Sequence, residues 1–239
     1  MYRNSPSLLI LLPAAMLVAA DPTWMTKGIA EWTQQDATQV LTESPWVKKA
    51  VVGVLAGLSP SQRRDGGDMN GQGGGRDGLG FDPSLIGSVP TLLTGINASA
   101  KKKPPTAPKL DVRWESALPV RSAEIKINEA GAPELDGEDY AVAVYGVPLK
   151  VARVELKGLQ ETLKKVAMLK IEGKKDIKPS RVAVVELGDD LANVIYFFPR
   201  SARLSLNEKR IEFDAQIGRV VLAQYFFPAE MVYQGRLEL

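Results

Sequence analysis

The stretch RVAVVELGDDLANVIYFFP, residues 181–199, decides the fold class of this chain. Two runs rich in β-branched and aromatic residues, 181–187 and 192–198, flank the tetrapeptide GDDL at 188–191. Such residues favour strands, and a short connection rich in glycine and aspartate favours a tight turn between antiparallel neighbours. The stretch therefore predicts a β-hairpin.

Further strands are predicted on both sides of this hairpin. Residues 210–214 and 219–227 form a second pair around a turn at 216–218, and YAVAVYGV at 140–147 is rich in strand formers. Residues 112–117 are compatible with a short strand or with the lead-in to a helix at 118–127. About five strands are expected.

One helix is predicted between these strands, from about residue 152 to residue 169. Leu156, Leu159, Leu163 and Val166 fall on one face at helical spacing. The sequence thus predicts an α+β fold in which a mostly antiparallel sheet is covered by this helix. An all-β sandwich is the alternative, and the strong helical periodicity disfavours it.

Residues 21–58 predict a short helical section rich in tryptophan. TQQD at 33–36 resembles a capping box, and SP at 44–45 places a capping serine before a proline at the first helical position. Apolar residues then recur at helical spacing along 47–58. Two helices are expected here.

Residues 59–109 predict a flexible linker that separates this section from a domain at 110–239. The stretch is rich in glycine, proline and charge, and it has little apolar periodicity with which to bury side chains. Its piece QGGGRDGLG at 72–80 resembles one calcium-binding repeat, but a single copy cannot stack into the coil that supplies the other ligands. No metal site is therefore expected.

The first twenty residues predict a signal peptide. Arg3 precedes an apolar run at 8–20, which ends in the small residues VAA. The run is shorter than the roughly 20 residues of a membrane-spanning helix, and Pro13 interrupts it. We expect cleavage after Ala20, no transmembrane anchor after processing, and a secreted or periplasmic location.

The composition excludes several classes of function. The chain has no histidine and no cysteine, which removes catalytic triads, thiol nucleophiles and the usual zinc and haem ligands. Thirty basic against 28 acidic residues give a net charge of only +2, which does not indicate nucleic-acid binding. No cofactor is expected.

Carboxylates are the remaining candidates for acid–base chemistry. The pairs at 138–139 and 189–190 and Asp214 are the positions at which such groups lie close in sequence or in a strand. Turns and solvated strand ends account for all of them. We therefore predict no catalytic residue.

Large aromatic residues are the candidate binding groups. Three tryptophans fall within residues 24–46, and aromatic doublets end the strands before residues 199 and 228. Consecutive aromatics point to both faces of a strand. We expect the tryptophans to pack on the later domain, while the alternative is a partner-binding or self-associating surface made of Trp24, Trp32, Trp46, Phe198 and Phe227.

The chain resembles a family of bacterial secreted proteins for which no activity is known. The resemblance is carried by SPW at 44–46, RWESALPVR at 113–121 and the ending QGRLEL at 234–239, together with neighbouring stretches of the last section. It implies export and a bacterial source, and it transfers no functional residue.

The expected function is that of a non-enzymatic binding or structural protein of the bacterial envelope or exterior. Its partner would be another protein or an envelope component. The alternative is a carboxylate-dependent hydrolase that acts on an envelope polymer, which would need a concave site with converging acidic residues. A binding protein would instead present an apolar surface with a polar rim.

Overall fold

The computed structural model describes residues 22–55, 107–154 and 158–239. The predicted signal peptide lies outside these residues, and so does the predicted linker up to residue 106. Along the described residues the chain forms two larger antiparallel sheets, one small hairpin and several short helices.

The first sheet has five strands in the order β1-β3-β4-β7-β6. The 181–199 hairpin supplies its last two strands, and the turn between them has positive φ angles at Asp189 and Asp190, as a tight hairpin turn requires. The strands are β1 (Val47–Lys49), β3 (Asp111–Trp114), β4 (Asp139–Pro148), β6 (Arg181–Gly188) and β7 (Leu191–Pro199).

The second sheet has four strands in the order β2-β9-β8-β5. The predicted second hairpin is confirmed as β8 and β9, which pair from Ile211 opposite Phe226 to Ile217 opposite Val220. The strands are β2 (Val51–Val54), β5 (Met168–Ile171), β8 (Ile211–Ile217) and β9 (Val220–Phe226), and the two-stranded hairpin consists of β10 (Val232–Tyr233) and β11 (Arg236–Leu237).

The second helix predicted for the N-terminal section is wrong, because residues 47–54 form strands. Strand β1 pairs with β3 in the first sheet, and after Ala50 strand β2 pairs with β9 in the second sheet. Residues 47–54 therefore connect the two sheets. The sequence VKKAVVGV is rich in valine, whose branched side chain suits a strand better than a helix. Residues 22–55 are therefore part of the same fold as the residues after 107.

The helices are short. The capping box at Thr33 and Asp36 is confirmed, and it begins a helix of ten residues. The helix predicted over 152–169 is too long, because Met168–Ile171 is a strand paired with β8. A seven-residue helix, Leu159–Lys165, precedes this strand, and Leu156 lies outside the described residues. The helices are α1 (Thr23–Thr26), α2 (Gln34–Glu43), α3 (Leu118–Ile127), α4 (Leu149–Ala152) and α5 (Leu159–Lys165), with a 3₁₀ turn at Ile29–Glu31.

The core lies between the two larger sheets. The Trp114 and Phe226 rings meet edge to face with centroids 5.2 Å apart, and Tyr196 and Phe213 meet at 5.3 Å, each pair joining one sheet to the other. A smaller apolar cluster lies on the outer face of the five-stranded sheet, at Ala141, Ala143, Ile195 and Phe197. The expected α+β class with mainly antiparallel sheets is confirmed.

None of the helices in the described part of the chain has the length and apolar character that crossing a membrane requires.

Candidate functional site

A cavity of about 400 Å³ opens at the end of the four-stranded sheet, where β5 ends and β8 begins. Lysine and arginine outnumber glutamate in its lining, and two further groups are neutral and polar. We call this cavity, together with the neighbouring Tyr225 and Phe227, the strand-end site. Its lining residues are Ile171, Glu172, Lys174, Ser205, Asn207, Glu208, Lys209 and Arg210.

The Glu208 carboxylate of the strand-end site accepts hydrogen bonds at both of its oxygens. Lys174 Nζ donates to its Oε1 at 2.5 Å, while the Ser205 amide and hydroxyl donate to its Oε2 at 2.6 and 2.8 Å. Burial raises the pKa of Glu208, but these hydrogen bonds outweigh burial and hold the pKa below its usual value. Glu208 is thus a structural anion that fixes the 205–208 turn.

Lys209 and Arg210 are the free cations of the strand-end site. Both are exposed, and in the described ranges neither forms an ion pair with an acidic side chain. The Arg210 guanidinium lies over the Tyr225 ring, 4.9 Å from its centroid. Stacking of this kind holds a guanidinium in place without neutralising its charge.

Apolar groups border these cations. Phe227 is 38% exposed and follows the Ile211–Phe226 register pair, which places it opposite Arg210 at the end of the hairpin. Leu206, in the turn before β8, is 51% exposed. The strand-end site therefore combines cationic, aromatic and aliphatic surface.

A second cluster of charged side chains lies further along the same face of the four-stranded sheet. Ile211, Phe213 and Ala215 point into the core, so the alternating residues Glu212 and Asp214 point to the outer face, as Arg210 does. Lys170 on β5 forms an ion pair with Asp214 and lies 3.9 Å from Glu212. Burial raises the pKa of Asp214 to about 6, although Lys170 opposes this.

The other carboxylates named from the sequence lie in turns or at strand ends, and Glu138 is exposed just before β4. Asp189 and Asp190 form the β6–β7 turn, and Asp190 makes an ion pair with Lys150. Asp139 accepts a hydrogen bond from the Ser180 hydroxyl at 3.0 Å. None of these groups lines the cavity.

The three N-terminal tryptophans are buried together. Trp24 meets Trp32 and Trp46 edge to face, at centroid distances of 6.3 and 5.8 Å, and Trp32 meets Tyr233 at 5.7 Å. The Trp46 indole donates to the Glu238 carbonyl at 2.7 Å. The expected packing on the later domain is what the structure shows, so these rings form no exposed surface in this conformation.

The aromatic strand ends differ from one another. Phe198 is buried against Phe213, with ring centroids 6.2 Å apart, so a partner cannot contact it in this conformation. Phe227 is thus the only one of the five aromatic residues named from the sequence that is exposed.

Sequence reasoning missed Lys209, Arg210 and Tyr225 as members of a site. A sequence signal for Arg210 was present, because Arg210, Glu212 and Asp214 alternate with core residues along one predicted strand. The sequence alone does not show that β8 pairs with β9, and this pairing brings Tyr225 under Arg210. Within the described part of the chain, no group of three or more acidic side chains is arranged to hold a metal ion.

Comparisons with protein-family models, with curated proteins and with solved structures returned no match.

Proposed function

We propose that this chain is an exported, non-enzymatic binding protein of the bacterial envelope or exterior, and that it binds an acidic segment of a partner protein at the strand-end site. The observation that carries the proposal is the exposed Arg210 guanidinium, which stacks on Tyr225 and has no acidic partner among the described residues. Export rests on the N-terminal sequence pattern, Arg3 followed by an apolar run that ends in small residues.

The chemistry of the strand-end site supports a protein partner with acidic groups. Arginine and aromatic residues are enriched where protein interfaces gain most of their affinity, because they combine a large contact area with directed polar bonds. Lys209 and Arg210 attract carboxylates, and the exposed Phe227 and Leu206 offer apolar contacts beside them. A partner segment that mixes acidic and aliphatic residues would match this surface.

The state of the nearby carboxylates supports binding rather than catalysis. Glu208 is fully hydrogen-bonded, and Asp214 is buried and ion-paired with Lys170. A general acid or base has to reach the atom whose proton it transfers. Neither group is free to do so in this conformation.

The experiment is fluorescence anisotropy of the processed protein with a labelled peptide of alternating glutamate and leucine. We expect saturable binding that weakens as salt is added, and a dissociation constant about tenfold higher for Arg210→Ala and for Phe227→Ala. Lys126→Ala removes one exposed cation elsewhere, and Ile125→Ala removes an aliphatic side chain that is 75% exposed. These two control variants should bind like the wild type.

Two outcomes would contradict the proposal. If Lys126→Ala weakened binding as much as Arg210→Ala, the interaction would depend only on overall charge. If the peptide did not bind at any salt concentration, the strand-end site would not recognise acidic segments. Gel filtration over a range of protein concentrations would separately detect self-association.

A hydrolase is the second candidate, and it requires a conformation in which Asp214 leaves Lys170 and becomes accessible. The observation in its favour is that burial raises the pKa of Asp214 to about 6 while Glu212 lies beside it. Hydrolysis of cell-wall glycans or peptides, lost in Asp214→Asn but retained in Asp139→Asn, would favour this candidate. Equal activity in both variants and the wild type would exclude Asp214 as the catalytic group.

A further inference from the structure

A cluster of charged side chains is buried between α3 and the outer face of the five-stranded sheet. Arg113 on β3 is 7% exposed, Glu115 just after it is fully buried, and Glu124 on α3 is 2% exposed. Glu124 also faces Tyr145 on β4 and Arg121 one turn earlier on α3. Glu129, in the segment after α3, belongs to the cluster through its ion pair with Arg113. The six members of this buried acid cluster are Arg113, Glu115, Arg121, Glu124, Glu129 and Tyr145.

The strong bond of Arg113 goes to Glu129 rather than to the other carboxyl groups. Arg113 Nη1 lies 2.7 Å from Glu129 Oε2 but 3.9 Å from Glu124 Oε1. Burial lowers the pKa of Arg113, but the hydrogen bond and charge of Glu129 outweigh burial and keep the pKa above its usual value. Arg113 and Glu129 therefore form a hydrogen-bonded ion pair.

Glu115 has no comparable partner. The Tyr145 hydroxyl donates to Glu124 Oε1 at 3.2 Å, and Arg121 Nε lies 3.9 Å from Glu124 Oε2. Within the described residues neither carboxylate oxygen of Glu115 receives a hydrogen bond. Its neighbours are the Glu124 carboxyl group and the Tyr145 hydroxyl, whose single proton is donated to Glu124. Two ionised carboxylates cannot bond to one another, whereas one proton between them supplies the missing donor.

The charge balance leads to the same conclusion. Three carboxylates and two guanidiniums leave one uncompensated negative charge in a buried site, and an unpaired buried charge is strongly disfavoured. We propose that Glu115 and Glu124 share one proton, and that this proton latches α3 onto the five-stranded sheet, so that the helix is released as the pH rises. In that step the shared O–H bond breaks, a base in solution takes the proton, and the two carboxylates left behind repel each other, which separates α3 from the sheet.

The electrostatics of the pair agree with this geometry. Burial, together with the charge of Glu115, raises the pKa of Glu124 to about 10, and burial also raises the pKa of Glu115. Because the folded chain binds the proton more tightly than the unfolded chain, the stabilisation is complete below the ordinary glutamate pKa of about 4.3. It is lost progressively as the pH rises towards about 10.

The other members of the buried acid cluster do not provide this pH dependence. Burial raises the pKa of Tyr145 above its usual value, so the phenol stays protonated throughout the range. The two guanidiniums stay charged. The titration of the latch is therefore expected to depend on Glu115 and Glu124 alone.

The test is hydrogen exchange of the processed protein between pH 5 and pH 9, corrected for the intrinsic exchange rate. We expect the protection of residues 118–127 to fall with pH, by up to about tenfold per pH unit, and to fall more steeply than the protection of β7. In Glu115→Gln the carboxamide donates to an ionised Glu124, so the protection of α3 should no longer depend on pH. Glu124→Gln should act in the same way, and it serves as the second variant if the first does not fold.

Glu138→Gln is the matched control. It removes an exposed carboxylate just before β4, outside the buried acid cluster, so the protection of α3 and its slope with pH should match those of the wild type. Equal slopes in the wild type and both glutamine variants at positions 115 and 124 would overturn the proposal. So would carbon-13 shifts that report both carboxyl groups as ionised at pH 7.

Discussion

The indole of Trp46 donates a hydrogen bond of 2.7 Å to the main-chain carbonyl of Glu238, 192 positions later in the chain. Trp46 is fully buried and immediately precedes β1, while Glu238 lies next to the last residue. The bond therefore joins the first described section to the end of the chain. It implies that residues 22–55 and 107–239 unfold together.

Limited proteolysis tests this joint unfolding. Cleavage within 59–109 should leave the N-terminal peptide bound, since β1 pairs with β3 and β2 pairs with β9. We expect the two fragments to elute together in gel filtration and to separate only in denaturant. An N-terminal peptide that elutes alone under native conditions would contradict this prediction.

Trp46→Phe should cost more stability than Trp24→Phe. Both changes remove part of a buried ring, but only Trp46 also loses a hydrogen bond, because Trp24 Nε1 has no partner among the described residues. A hydrogen bond to a half-buried carbonyl such as this one contributes about 0.5–1.5 kcal/mol. Urea unfolding should show a difference of this size between the variants, and equal midpoints would mean that water replaces the indole.

Gly218→Ala should destabilise the chain more than Gly188→Ala. Both glycines lie in hairpin turns at positive φ, where a side chain costs about 1–2 kcal/mol. A Cβ at Gly218 would also overlap the Ala152 carbonyl oxygen, which accepts a hydrogen bond from the Arg219 amide at 2.8 Å, whereas Gly188 has free space. Thermal unfolding of both variants measures the extra cost, and equal losses would show that α4 moves aside.

Asp36 should make the N-terminal helices sensitive to acid. The Thr23 hydroxyl donates to its Oδ1 at 2.5 Å, and Thr33 and Lys27 donate to Oδ2, so the pKa of Asp36 lies well below its usual value. Its contribution to stability is present above the ordinary carboxyl pKa of about 3.9 and is lost as the pH falls below it. Tryptophan fluorescence should report this loss, since Trp24 and Trp32 lie nearby in sequence.

Asp36→Asn should remove that acid transition and lower the stability at pH 7. Asp111→Asn is the control, because it also removes an ion pair, the one with Lys49, but at the surface where such pairs contribute little. The control should keep the wild-type acid transition. An acid transition that persists in Asp36→Asn would assign it to another group.

Asp214 should add a separate pH dependence near neutrality. Its pKa of about 6 lies above the unfolded value, so its contribution to stability is present below about pH 3.9 and is lost as the pH rises through 6. Urea unfolding of Asp214→Asn between pH 4 and 7 should lack this decline. The decline ends near pH 7, which distinguishes it from that of Glu115 and Glu124, and a wild-type curve that is flat over this range would contradict the prediction.

Much of the local structure could be predicted from the sequence. Both long hairpins, the strand before Pro148 and the capping box of α2 follow from residue types within a few positions of each other. The candidate site could be predicted only in part: Phe227 was named, while Arg210 and Tyr225 were not. Their meeting depends on the register between β8 and β9.

The errors occurred where the spacing of apolar residues and the tertiary strand pairing disagree. Residues 47–58 have helical spacing of apolar residues, yet β3 and β9 hold 47–54 as strands through partners more than 60 positions away. Similarly, residues 152–169 were predicted as one helix, but pairing with β8 makes 168–171 a strand. Strand pairing supplies hydrogen bonds that a local pattern cannot reveal.

By itself the sequence determined the α+β class, the turns and the absence of histidine and cysteine chemistry, because each depends only on composition or on neighbouring residues. Only the tertiary structure decided that the tryptophans are core, that Arg210 lies over Tyr225, and that Glu115 and Glu124 are both buried. The physical reason is that hydrogen bonding within a turn depends on adjacent residues. Burial and the pairing of charges depend on which distant surfaces come together when the chain packs.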